Sequence, residues 1–211
     1  MPIYRIGSKN VLFIHIPKTA GMAMGSHLGG VGKSVFEERI PVRGGVFGPR
    51  HQPAAILEKF YFPEMIDYAF MVVRHPVARL VSEYRYQRRS GVLQVSRLRM
   101  FGFDAWLHYA LHRVRQNPNW RVGHFRPQVN YEGFGCEVFR YEDGLAPVLR
   151  RITEVSGVAI ADAPRRTNVS VQRPVRISNK SLDLIAEYYA ADFSRFDYPV
   201  EVPDLPGVTR S

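Results

Sequence analysis

The chain has 211 residues, 45% of them apolar, and a formal net charge of +10. That length suits a single domain, residues 1–211, with enough apolar content for a buried core. No run approaches the roughly 20 apolar residues of a membrane span, and one cysteine, Cys136, excludes an internal disulfide.

The N-terminal MPIYRIGSKN has no apolar signal-peptide region, so the Met-first chain is expected to be cytoplasmic. Only 5 of the 29 basic residues are Lys; the rest are Arg. Arginine forks match phosphate and sulfate bidentately, which suits an anionic cofactor or an acidic sugar. An arginine-rich genome would produce the same excess without any partner. Nucleic acid is disfavoured, because the basic residues are spread along the chain and no nucleic-acid motif accompanies them.

The first predicted element is a buried strand over Val11–Ile16, a short apolar run that Pro17 ends because proline cannot donate to a ladder. Lys18, Thr19, Ala20 and Gly21 form a tight turn, and Met22, Met24 and Leu28 continue as a helix. Strand, turn and helix start make an anion cradle of backbone N–H groups, to which Lys18 adds a full charge. The loop is not the ATP-binding pattern G-x-x-x-x-G-K-[ST], since its lysine precedes the glycine. Gly29, Gly30 and Gly32 are expected to break the helix, and residues 33–50 read as a surface loop. Ala54, Ile56, Leu57 and Phe60 suggest a short helix with His51 just ahead of it, where a histidine serves as a cap or surface residue on spacing alone.

Ala69–Val73 reads as a second strand, followed at once by Arg74, His75 and Pro76. Pro76 suits the first turn of a helix, and Val77, Leu80, Val81 and Tyr84 form its apolar face. Arg74 thus stands at the C-terminal end of a strand, where open α/β sheets bind ligands. Ser82 lies off the apolar stripe and is available beside it. Two such turns suggest a ligand with phosphates at two separated points.

Gln87 to Arg99 reads as an exposed excursion that could meet an acidic acceptor. Asp104 is expected to cap a helix whose buried stripe is Leu107, Ala110, Leu111 and Val114. His108 and His112 are four apart, but no H-E-x-x-H pattern surrounds them, and no metal is expected. Gln116 to Gly135 forms a long loop of the kind that serves as a lid or binding segment, with HFRPQ at its centre. Cys136–Tyr141 reads as a third strand, with Cys136 a small buried hydrophobe. Leu145–Val155 is an amphipathic helix stopped by Gly157, and Leu182–Phe193 a closing helix that buries Leu182, Ile185, Tyr189 and Phe193.

HIPKTAG followed by RHPVARLVSEYRY resembles the two nucleotide signatures of the sulfotransferases that use 3′-phosphoadenosine 5′-phosphosulfate (PAPS). The resemblance is to the carbohydrate-type branch that includes the uronyl 2-O-sulfotransferases, and the chain looks like a bacterial catalytic domain of that type. It implies an α/β fold: three layers, a parallel central sheet flanked by helices, similar to the P-loop NTPases. It implies that Lys18, Thr19, Ala20, Gly21 and Met22 hold the 5′-phosphosulfate, and that Arg74 and Ser82 hold the 3′-phosphate. Related enzymes carry a catalytic base between the two motifs, and His51 is the matching position. HFRPQ resembles an H-[WF]-x-P-Q element near the family's active site, which implies that His124 and Gln128 place acceptor or cofactor. RRTNVS at 165–170 resembles a late family segment, and it also fits a glycosylation pattern. In the family a Thr or Ser usually follows the first motif's glycine, where this chain has Met22 and Met24.

The expected reaction is transfer of the sulfuryl group from PAPS, without a metal, to a hydroxyl acceptor. That acceptor is expected to be a saccharide; which sugar, whether it is acidic and whether a lipid carries it are left open by the sequence. Two other classes fit parts of the pattern: a nucleotide-dependent kinase on the same loop–helix frame, and a non-catalytic module that binds polyanions.

Overall fold

A computed structural model describes residues 3–35, 40–42, 45–48, 50–90, 102–161 and 173–211. The chain packs as two compact units, Met1–Val73 with Asn130–Arg165, and Arg74–Val129 with Arg166–Ser211.

The first unit is built on a five-stranded sheet of order β3-β1-β2-β6-β7. Its strands are β1 (Ile3–Ile6), β2 (Lys9–Ile14), β3 (Lys33–Val35), β6 (Tyr68–Val73) and β7 (Glu137–Arg140). The sheet is mixed and not parallel throughout: β1 runs antiparallel to β2 and β3, whereas β2, β6 and β7 are mutually parallel. The departure has a local cause. Gly7, at φ +57°, turns the chain between Ile6 and its partner Lys9, and so short a hairpin can only join antiparallel strands.

Side chains alternate across the sheet. Tyr4, Ile6, Val11, Phe13, Phe70 and Val72 face one side, where α1 (Gly21–Val31) supplies Met24 and Leu28, and α5 (Ala146–Ser156) supplies Val148, Leu149 and Ile152. Leu12, Ile14, Met71 and Val73 on the other face are equally buried. Gly29 and Gly30 do not break α1; they lie within it over open space. The glycine that matters is Gly32, the C-cap, whose added Cβ would stand 2.8 Å from the Arg5 carbonyl oxygen. Within the expected surface loop two stretches are strands instead: β3 pairs with β1, and β4 (Ile40–Val42) pairs antiparallel with β5 (Gly45–Phe47). A short α2 (Ala54–Leu57) follows. Cys136 is half-buried, not enclosed.

The second unit is mainly helical. Its α3 (Pro76–Arg89) carries Pro76 in the first turn and buries Val77, Leu80, Val81 and Tyr84. The helix runs further than its apolar spacing predicts: Gln87, expected in an exposed excursion, is 2% exposed within it. The rest of that excursion, residues 91–99, lies outside the described residues, as does 165–170. In α4 (Phe103–Gln116), Gly102 occupies the N-cap and Asp104 the first turn, where its carboxylate accepts the Ser178 N–H at 3.2 Å. The closing helix is two, α6 (Asn179–Tyr188) and α7 (Ala190–Arg195), separated at Tyr189. There Tyr189 is buried and donates its hydroxyl to the Phe125 carbonyl at 2.8 Å. A parallel pair, β8 (Val175–Ile177) and β9 (Val208–Arg210), completes the unit. Among the described residues no helix is long and apolar enough to cross a membrane.

Candidate active site

β2 and β6 are parallel neighbours, with Val11 opposite Tyr68 and Ile14 opposite Met71. Both strands therefore deliver the chain to the same edge of the sheet, the edge at which α/β folds bind ligands. β2 passes into the Lys18 turn, and β6 ends at Val73, the last residue of that stretch of the unit.

The turn has an unusual backbone. Lys18 (φ 71°) and Ala20 (φ 68°) are both left-handed, on either side of Thr19. Each costs a side-chain-bearing residue about 1–2 kcal/mol, and strain of this kind gathers at functional sites. Left-handed residues within a turn aim successive N–H groups to one side, the nest that accepts anions. Thr19 is fully buried, and its hydroxyl donates to the Ile16 carbonyl at 2.9 Å, which pins the turn shut. Its hydroxyl therefore works inward. α1 begins at Gly21 with no side-chain cap and no acidic residue in its first turn, so the positive end of the helix is left for an anion. Met22 is 81% exposed in the first turn of that helix.

Gly21 is glycine for a reason that its neighbours supply. A Cβ there would fall 1.6 Å from Nε2 of His15. The His15 imidazole stacks on Phe13 (5.3 Å between centroids) and meets the His51 ring edge-on at 4.5 Å. His51 Nδ1 lies 3.1 Å from the His15 carbonyl oxygen. A carbonyl can only accept, so Nδ1 carries the proton and the lone pair of the neutral ring is on Nε2. His51 is itself left-handed (φ 63°) and half-buried. The first unit thus joins the left-handed turn, through His15, to a histidine whose Nε2 carries the lone pair.

The second unit holds the other expected residues. Arg74 is half-buried, and its peptide is gripped at both ends by the side chain of Gln128. Oε1 accepts the Arg74 N–H at 2.9 Å, and Nε2 donates to the Arg74 carbonyl at 2.8 Å. Gln128 is fully buried. Ser82 is half-buried on α3, next to Glu83. Glu83 is 1% exposed; one carboxylate oxygen lies 2.9 Å from His124 Nδ1 and the other accepts from Gln87 at 2.6 Å. Gln87 in turn accepts from the Trp106 indole at 3.1 Å. Arg79, also buried, donates to the carbonyls of His124 (3.0 Å) and Arg126 (2.9 Å). His124 is therefore fixed in both ring and backbone. His108 and His112 are exposed on α4, and no group of three or more His, Cys, Asp or Glu among the described residues could hold a metal ion.

His15, Arg79, Glu83 and Asp192 are absent from the sequence-derived site. Arg79, Glu83 and Gln87 recur at intervals of four, and such a polar row reads as the solvent face of α3, whereas all three are buried. Asp192 is fully enclosed; burial raises its carboxyl above the usual carboxylate range, against the pull of the Arg79 charge and of amide donors from Gln128 and Val129.

No curated protein and no solved structure matches the chain. A family model, described as the sulfotransferase family, matches residues 2–199, which include both anion-capable turns and both buried polar networks. By that match, over nearly its whole length, the chain belongs to the sulfotransferase family.

Proposed function

We propose that the protein transfers a sulfuryl group from PAPS to a hydroxyl, on a saccharide of the kind the carbohydrate-type branch modifies. The observation that carries this reading is the strained Lys18–Thr19–Ala20 turn at the uncapped start of α1, linked through His15 to a histidine whose Nε2 holds the lone pair.

The residues fit the nucleotide. The left-handed turn and the open helix end suit a phosphosulfate, and Gly21 lets the helix start pack directly on the His15 ring. Lys18 and the N–H groups of Thr19, Ala20, Gly21 and Met22 would hold the 5′ end, with Arg74 and Ser82 on the 3′-phosphate. Bound there, PAPS supplies the sulfuryl group that the acceptor oxygen takes, with 3′-phosphoadenosine 5′-phosphate (PAP) as the product. Lys18 stabilises the negative charge that grows on the oxygen bridging sulfur and phosphorus. His51 Nε2 accepts the proton of the acceptor hydroxyl. The protein's task is otherwise positioning and charge stabilisation, as in phosphoryl transfer.

A second assignment of the base has its own support. Glu83 orients His124 as a carboxylate orients the histidine of a hydrolytic triad, and by accepting the Nδ1–H hydrogen bond leaves the lone pair of the neutral ring on Nε2. A cytoplasmic setting is supported by the single cysteine.

The test is differential. PAP without added metal should raise the melting temperature, and radiolabelled PAPS should deliver its sulfate to saccharide hydroxyls. Stabilisation by magnesium-ATP and not by PAP would instead mark a kinase. Polyanion binding that fades with salt and ignores Lys18→Ala would mark a non-catalytic module.

A further inference from the structure

Asp192 is a fully buried carboxylate to which the reaction above gives no task. It accepts the backbone N–H of Gln128 at 2.9 Å, that of Val129 at 3.0 Å, and Nε2 of the Gln128 side chain at 3.3 Å. Desolvating a carboxylate is costly, so the arrangement needs a reason. Its partner suggests one. The two-point pairing of the Gln128 amide with the Arg74 peptide is the rung a neighbouring strand would make, offered here by a side chain one residue beyond the end of β6. An amide can be inserted either way round. Reversed, its oxygen would face both the Asp192 carboxylate and the Arg74 carbonyl, three acceptors together, and its NH₂ would face the Arg74 N–H. Asp192 therefore selects the orientation in which the amide fits Arg74.

We propose that Asp192 and Gln128 are positioning residues for Arg74: they fix its peptide in advance, so that its guanidinium meets the nucleotide's 3′-phosphate without an ordering cost at binding. Preorganisation of this kind raises affinity with no contact of its own. The proposal rests on the reading that Arg74 meets that phosphate.

The experiment measures PAP and adenosine 5′-phosphate, which lacks the 3′-phosphate, by calorimetry on wild type, Gln128→Leu, Gln128→Glu, Asp192→Asn and Arg74→Ala. Melting temperatures and hydrogen exchange at the Arg74 amide accompany it. Gln128→Leu should weaken PAP about tenfold, the scale of a lost hydrogen-bonded charge contact, and leave adenosine 5′-phosphate within about twofold. Asp192→Asn should shift PAP in the same direction by less. Added to Arg74→Ala, Gln128→Leu should cost nothing more, because both remove one interaction. Gln128→Glu should bind PAP poorly at pH 8, relative to wild type. It should recover toward pH 5, where a protonated carboxyl restores the donor. Exchange at the Arg74 amide should accelerate in Gln128→Leu. Equal losses for both nucleotides, additivity with Arg74→Ala, or unchanged Arg74 exchange would each overturn the proposal. Should wild type hold both nucleotides equally and Arg74→Ala alter neither, the 3′-phosphate reading fails and the proposal with it. Accelerated exchange would then show that the clamp exists and that the nucleotide assignment was the fault.

Discussion

At the scale of single residues, the tautomer of His51 is set by the carbonyl 3.1 Å from Nδ1, and it leaves Nε2 as the basic atom. His51→Ala should lower the transfer rate about 10²–10⁴-fold, the usual contribution of a positioned base, while PAP still binds. The check is a turnover assay beside PAP calorimetry; retained turnover, with His124→Ala inactive, would move the base to His124. The positions of Lys18, in the turn between β2 and α1, and of Arg74, directly after β6, were legible because each lies in a strand–turn–helix motif. His15 was not, since its importance lies in packing: a ring that touches both Gly21 and His51 has no signature in residue spacing. Asp192 was hidden for a similar reason, because a carboxylate in a terminal segment reads as surface until a glutamine 64 positions away, at the start of a short 3₁₀ helix, is seen against it.

At the scale of elements, the β2–turn–α1 unit was readable from its apolar run, proline and glycine, and α3 from Pro76 and its three-and-four spacing. β1 and β3 were not, since they are short and one buries its residues without clean alternation. Their antiparallel pairing turns the expected parallel sheet into a mixed one. The extra turn of α3 escaped because Gln87 and its row are polar, and the burial of Gln87 is made tolerable by Glu83 and Trp106. The close fit within β2–turn–α1 predicts a specific failure. Gly21→Ala places a methyl 1.6 Å from the His15 ring, which must swing away from His51. The cost should be about 1–3 kcal/mol of stability, read by urea unfolding, with transfer reduced even where folding survives. A variant as stable and active as wild type would show that the ring moves freely.

For the whole molecule, the charge of +10 and the arginine excess fit an anionic nucleotide. Its pH response carries a further prediction. Burial holds the Asp192 carboxyl above its ordinary value, although Arg79, Gln128 and Val129 draw it down. Between the unfolded value of about 3.9 and the raised one, the folded chain binds the extra proton. The stability due to this group is therefore full below that window and is lost as pH rises through the raised value. Wild type should gain stability over Asp192→Asn as pH falls from 7 toward 4, in urea titrations. Parallel pH profiles would mean that the carboxyl is not raised.

Both anion-capable turns fall within the stretch that matches the sulfotransferase family, and the claim that one nucleotide uses both is the centre of the account. Calorimetry with PAP, adenosine 5′-phosphate and metal-free buffer on wild type, Lys18→Ala and Arg74→Ala tests it directly. Lys18→Ala should weaken both ligands, and Arg74→Ala should weaken PAP alone, by about tenfold or more for a lost charge-assisted contact. PAP affinity unchanged by either substitution would contradict the account.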